Sequence, residues 1–168
     1  MTRVNHLSST WGVPARTDTE GPFRSHPHLG KLNHREQLDA VRRMAEAARD
    51  AGIPPELPVM VALVESHLGN PPNGDRDSVG MFQQRRPWGP RSQRNDIDDA
   101  TRAFLHGGRA AGTFGATHFL SEYGAGPYTD QQLGDWAQDI QGSAYPERYA
   151  EEADAARRVL HRAGVDGY

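Results

Sequence analysis

The chain has 168 residues, 36% of them hydrophobic and 24% charged, with a formal net charge of −3 and no cysteine. These values describe one globular domain able to bury its own core, and they exclude disulfide scaffolds, thiolate metal sites and cysteine nucleophiles. The absence of a basic excess speaks against a nucleic-acid partner, and the longest apolar run, 57–64, is too short to cross a membrane.

Residues 1–32 are rich in Gly, Pro, Ser, Thr and His and show no apolar period, so they are expected to form an irregular N-terminal extension to a folded domain at 33–168. The opening Met1-Thr2-Arg3-Val4-Asn5-His6 lacks the apolar stretch of a signal peptide, and no export address is expected from it. Asn33 followed by Glu36 predicts a helix cap, and Leu38, Val41, Met44, Ala48 and Ala51 then recur at helical spacing up to Gly52. Ile53-Pro54-Pro55 breaks the chain. A second helix is expected over 58–68, apolar nearly all round and therefore central and buried.

The stretch 73–94 has glycines, prolines and charges without a helical period, which predicts loops with a small hairpin around 78–84. Further helices are expected at about 96–106, 115–122, 130–141, where Thr129 and Gln132 form a capping box, and 147–163. The architecture predicted from these elements is α+β and mainly α, with a buried central helix beside a loop and hairpin region.

Glu65 stands out within this pattern. Seven of the eight residues before it are apolar and Leu68 follows one turn later, so the helix that buries the run carries a carboxyl group to the edge of the core. Desolvation there favours the protonated acid, the state a glycosidase needs in its general acid. A Glu capped by an arginine or by backbone amides, or turned to solvent at the helix end, is the plainer alternative. Downstream, Gly74-Asp75-Arg76-Asp77-Ser78-Val79-Gly80-Met81-Phe82-Gln83-Gln84 offers two carboxylates, two amides and a glycine, a set suited to a neutral, hydroxyl-rich ligand, although Asp in a glycine-rich segment commonly serves its own turn.

Val61-Ala62-Leu63-Val64-Glu65-Ser66, the Gly-Asp-Arg-Asp-Ser stretch, Gly80-Met81-Phe82-Gln83-Gln84-Arg85 and Trp136-Ala137-Gln138-Asp139-Ile140-Gln141-Gly142-Ser143-Ala144-Tyr145-Pro146 resemble, in order, the motifs of lysozyme-like domains of the soluble lytic transglycosylase type, particularly the actinobacterial and phage branch. The resemblance spans about 36–150. It implies a lysozyme-like fold acting on peptidoglycan glycan strands at the MurNAc-GlcNAc β-1,4 bond, without a cofactor or metal, as a monomer or as a domain of a larger assembly. The place of action it implies is the cell wall, extracellular or virion-associated.

Carried onto this chain, it makes Glu65, paired with Ser66, the acid and base, puts Met81 and Gln83 in the sugar cleft, and sets Gln138, Gln141 and Tyr145 near it. Asp75, or less favourably Asp77, would hold a water if the enzyme hydrolyses as goose-type lysozymes do; Glu65 alone suffices for an anhydro-forming transglycosylase. The chain departs from the family where Phe82 follows Met81 and where Ala137-Gln138 replaces Ala-Tyr-Asn. A lysozyme-like module that grips walls or builds virions without cutting glycan is the alternative, and retention of the acid favours the enzyme.

Two further features bear on function. Arg85, Arg86, Arg91 and Arg94 surround Trp88, with Arg76 nearby, and read either as a contact for wall carboxylates and sugars or as a solvated loop. Trp136 and Tyr149 sit at helical positions and are expected to pack in the core, whereas Tyr145, beside Pro146, has the stronger claim to the cleft.

Overall fold

Asn33 and Glu36 close a reciprocal capping box, each side chain accepting the other's backbone N–H at 2.9 Å. From this cap, α1 (His34–Asp50) turns Ala40, Val41, Met44, Ala45 and Ala48 into the core. The computed structural model describes residues 30–168, so most of the expected extension lies outside the described residues. Its last residues belong to the folded body: Leu32 is in the core, and the Gly30 carbonyl accepts from Asn70 N at 2.6 Å.

The central helix, α2 (Glu56–Ser66), begins two residues ahead of the expected Pro58, whose missing N–H costs nothing in the first turn. Leu57, Val59, Met60 and Val61 are fully buried, each contributing roughly 1.5–3 kcal/mol of apolar burial. Its neighbours are α1, α6 (Asp130–Gln141), α7 (Glu147–Glu151) and α8 (Ala153–Arg162). The helix stops at Ser66 rather than at Leu68, because His67 and Leu68 turn into the left-handed region at φ 55° and 60°.

The expected 58–68 and 147–163 helices therefore both need correction. The second divides at Glu152, which has φ −92° and ψ 2°, into α7 and α8. Between them, α3 (Arg91–Arg94), α4 (Ile97–His106), α5 (Leu120–Tyr123) and short 3₁₀ turns at Arg86–Trp88 and Ala116–Phe119 complete the chain. The capping box at Thr129 and Gln132 forms as expected.

Among the described residues there are eight α-helices, and pairing of β type is confined to one antiparallel bridge, Val79 with Gln84, whose two N–H···O bonds are both 3.2 Å. The fold is mainly helical, and the hairpin expected around 78–84 shrinks to this single bridge. The next pair outward would be Asp77 with Arg86, but the Arg86 N–H donates to the Asp77 carboxylate at 2.6 Å and the Asp77 carbonyl accepts at 2.7 Å from the buried Arg94 guanidinium, which also donates to Gly89 O at 2.7 Å and Gln84 O at 2.8 Å. None of the described helices is long and apolar enough to cross a membrane.

Candidate active site

Glu65 is the penultimate residue of α2, half-buried where that helix meets the 80–84 turn and the helices that follow α6. Its carboxylate Oε2 accepts a hydrogen bond of 2.7 Å from the hydroxyl of Tyr149 on α7. Gln141, the last residue of α6, lies alongside and donates its amide to Phe82 O at 3.2 Å. Burial lifts the Glu65 pKa above the ordinary carboxyl value; the hydrogen bond from Tyr149, then Gln141 and the more distant charge of Arg148, pull it back without cancelling the rise. Burial and the facing carboxylate push the Tyr149 phenol strongly upward, so it remains a donor. Among the described residues no ion pair reaches Glu65, which removes the plainer reading of an acid neutralised by an arginine.

The turn beneath the acid is held from several sides. Ser66 is fully buried, its hydroxyl 2.8 Å from Met81 O, 3.0 Å from Gly69 O and 3.2 Å from Ala62 O, so it ties the end of α2 to the 80–84 turn. Asn70 Oδ1 accepts from Met81 N at 3.1 Å, and its amide donates to Asn95 O at 2.7 Å. Gly80 has φ +84°, and a Cβ there would lie 2.0 Å from Arg94 O, so only glycine fits. Among the described residues the four non-glycine positive-φ positions, His67, Leu68, Arg76 and Gln83, all fall in the chain segment following the acid, a concentration of backbone strain of the sort that surrounds functional sites.

The expected site residues divide into two groups. Glu65 and Gln141 come together, joined by Tyr149. Met81 is fully buried, so its backbone anchors the turn while its side chain fills core rather than cleft. Ser66 supports the acid from below instead of meeting a ligand. Gln83 is half-buried with its amide on Gly80 O at 3.1 Å and its side-chain oxygen packed over Gly74. Gln138 closes the end of α6, donating to Ser143 O at 2.9 Å and accepting from Ser143 N at 3.2 Å. Tyr145 is 62% exposed, with its backbone N–H on Ser143 Oγ.

Asp77 is paired with Arg85 and accepts from Arg86 N at 2.6 Å, which lowers its pKa to about 2. The Asp75 carboxylate is 89% exposed and has Arg76 Nε at 3.9 Å. Among the described residues no hydrogen bond or ion pair joins either aspartate to Glu65. The chain matches no family model, no curated protein and no solved structure.

Sequence reasoning places Tyr149 in the core and Arg94 in the basic stretch around Trp88 and gives Asn70 and Asn95 no role, so it misses the hydrogen bonds that these four side chains make. Tyr149 had one usable signal, a phenol in a segment otherwise supplying small apolar residues to the core, since a buried tyrosine hydroxyl needs a partner. Nothing local marks Arg94, whose 5% exposure places it among the loops it organises. Among the described residues no three His, Asp or Glu side chains converge as metal ligands would.

Proposed function

We propose that the chain is a lysozyme-like glycosidase of the lytic transglycosylase type that cleaves the MurNAc-GlcNAc β-1,4 bond of peptidoglycan, with Glu65 as general acid and then base. The observation that carries the reading is a half-buried carboxyl whose pKa is raised by desolvation while a tyrosine hydroxyl fixes one of its oxygens. Proton donation to a glycosidic oxygen asks for that combination: an acid still protonated at a pH where ordinary glutamates are ionised, held in one rotamer. The order of motifs along 36–150 supports the same choice of substrate.

In this reading Glu65 protonates the bridging oxygen as the C1–O bond breaks. The resulting carboxylate then takes the proton of the muramyl C6 hydroxyl, whose oxygen closes on C1 to give a 1,6-anhydro end. The anion formed in between is stabilised by the Tyr149 hydroxyl. A route without a second carboxylate is favoured by the state of the aspartates: Asp77, with a pKa of about 2 and both oxygens engaged, is a weak base, and Asp75 extends into solvent. Proton transfer of this kind is worth roughly 10²–10⁴-fold.

Glu65→Gln is therefore expected to reduce clearing of a purified cell-wall suspension by at least about 10²-fold while leaving sedimentation with walls intact. Mass spectrometry of the released fragments should find anhydro ends. Clearing unchanged by Glu65→Gln would refute the assignment of the acid, reducing ends would move the reaction to hydrolysis, and binding to walls without any clearing by the wild type would favour a non-catalytic wall-binding module.

A further inference from the structure

The basic stretch around Trp88 is reorganised by the fold in an unexpected way. Arg85 is spent on Asp77, Arg91 on Pro72 O, and Arg94 is buried on three carbonyls, so these cations serve the loops themselves. Trp88 instead meets a segment from further along the chain. Arg109 N donates to Trp88 O at 3.3 Å and Ala110 N to Pro87 O at 3.0 Å, which stitches the 3₁₀ turn to the loop after α4. Gly108 lies under the tryptophan so closely that a Cβ would fall 2.7 Å from Trp88 Cα and 3.1 Å from Cε3. The two loops thereby form the wall of a groove of about 240 Å³, whose lining includes Trp88, Gln93, Arg102, His106 and Arg109 and shares no residue with the Glu65 cluster.

The groove has an excess of hydrogen-bond donors. Its carboxylate, Asp99, is already engaged by Arg102 at 2.6 Å. The Trp88 indole N–H, the Gln93 amide and the Arg109 guanidinium have no hydrogen-bond partner among the described residues, whereas the other described tryptophan, Trp136, donates to Ala116 O at 3.1 Å. An amphipathic ring, a free guanidinium fork and a volume suited to one compact group match a carboxylate carried on a small apolar or ring-shaped body. We propose that this groove is a second binding site that takes the carboxylated peptide arm of peptidoglycan, held by Arg109 at the carboxylate and by Trp88 at the adjoining apolar surface. The class of ligand follows from the donors; its assignment to the wall rests on the glycosidase reading above.

The test uses the full chain labelled with ¹⁵N, in which three tryptophans give three indole N–H resonances and Trp88→Phe identifies the one belonging to Trp88. N-acetylmuramyl-L-alanyl-D-isoglutamine, a single sugar with no glycosidic bond for the enzyme to cut, is expected to shift the Trp88 signal in a saturable way. Arg109→Gln, a change at an exposed side chain, is expected to weaken that binding about 10-fold or more, and amidation of the ligand's one free carboxyl group to do the same. A Trp88 signal that does not move, or that moves equally with Arg109→Gln or with the amidated ligand, overturns the proposal. The two readings fail separately: wall clearing without an indole shift removes only the second site, and an indole shift without clearing removes only the glycosidase.

Discussion

The hydroxyl of Tyr149 has a definite electrostatic role because it can donate only to the ionised or carbonyl-like oxygen of Glu65. Its 2.7 Å bond favours the anion and opposes the upward shift that burial imposes. Removing the hydroxyl in Tyr149→Phe therefore raises the Glu65 pKa further. Activity that depends on protonated Glu65 declines as pH rises through that pKa, so the alkaline limb of the pH–rate profile should move to higher pH in Tyr149→Phe, accompanied by a lower maximal rate from the lost stabilisation of the anion. A merely structural tyrosine would lower the rate without moving the limb. Gln141 contributes in the same direction and more weakly, so its replacement by Leu should move the limb the same way by a smaller amount.

At the scale of elements, the position of the acid depends on how α2 ends. The helix closes with His67 and Leu68 in the left-handed region, a conformation that costs on the order of 1 kcal/mol or more per residue for a side chain other than glycine or asparagine. The turn is retained because Ser66 and Asn70 bond it to Met81 on one side and because Arg94 holds the loops on the other. Arg94→Ala would leave three carbonyls without their charged donor, two of these bonds being buried, and is expected to cost about 3 kcal/mol or more, seen as a lower denaturant midpoint. Arg94→Lys should recover little of it, since one ammonium on a flexible stem cannot reproduce the fork that spans Gly89, Asp77 and Gln84. The proposed wall-clearing activity should fall alongside stability in both variants, because the same loops carry Phe82 O, the anchor of Gln141.

At the scale of the whole molecule, Asp77 and Glu65 make stability depend on pH with opposite signs. Asp77, lowered to about 2 by Arg85 and the Arg86 amide, favours the folded state above the ordinary aspartate pKa, and that contribution disappears as pH falls from about 4 to about 2. The melting temperature of Asp77→Asn should accordingly lie below wild type at pH 5 and approach it near pH 2. Glu65 acts the other way. Its raised pKa means that the folded state binds the proton more tightly than the unfolded chain, so ionisation erodes stability as pH climbs past 4.5. Glu65→Gln should melt above wild type at pH 7, with the gap narrowing toward pH 4, while losing activity throughout. Calorimetry across that range measures both effects.

Much of the helical framework could be read from nearby residues alone. Asn33 with Glu36, Thr129 with Gln132, and the recurrence of Val41, Met44 and Ala48 are interactions over one to three turns, which a stretch of chain carries wherever it is placed. The same holds for Glu65 as an acid in apolar surroundings, since Leu57 to Val64 must be buried somewhere and the carboxyl goes with them. What surrounds that acid is set by contacts between distant segments. Tyr149 reaches Glu65 across 84 positions because α7 packs against α2, whereas Tyr145, the stronger candidate by sequence, is exposed. Met81 and Gln138 likewise carry plausible chemistry yet spend it on core packing and on closing a helix end. A side chain's type travels with its sequence, but its partner, and hence whether it meets a ligand, a backbone carbonyl or the core, depends on which segments the burial of apolar surface brings side by side.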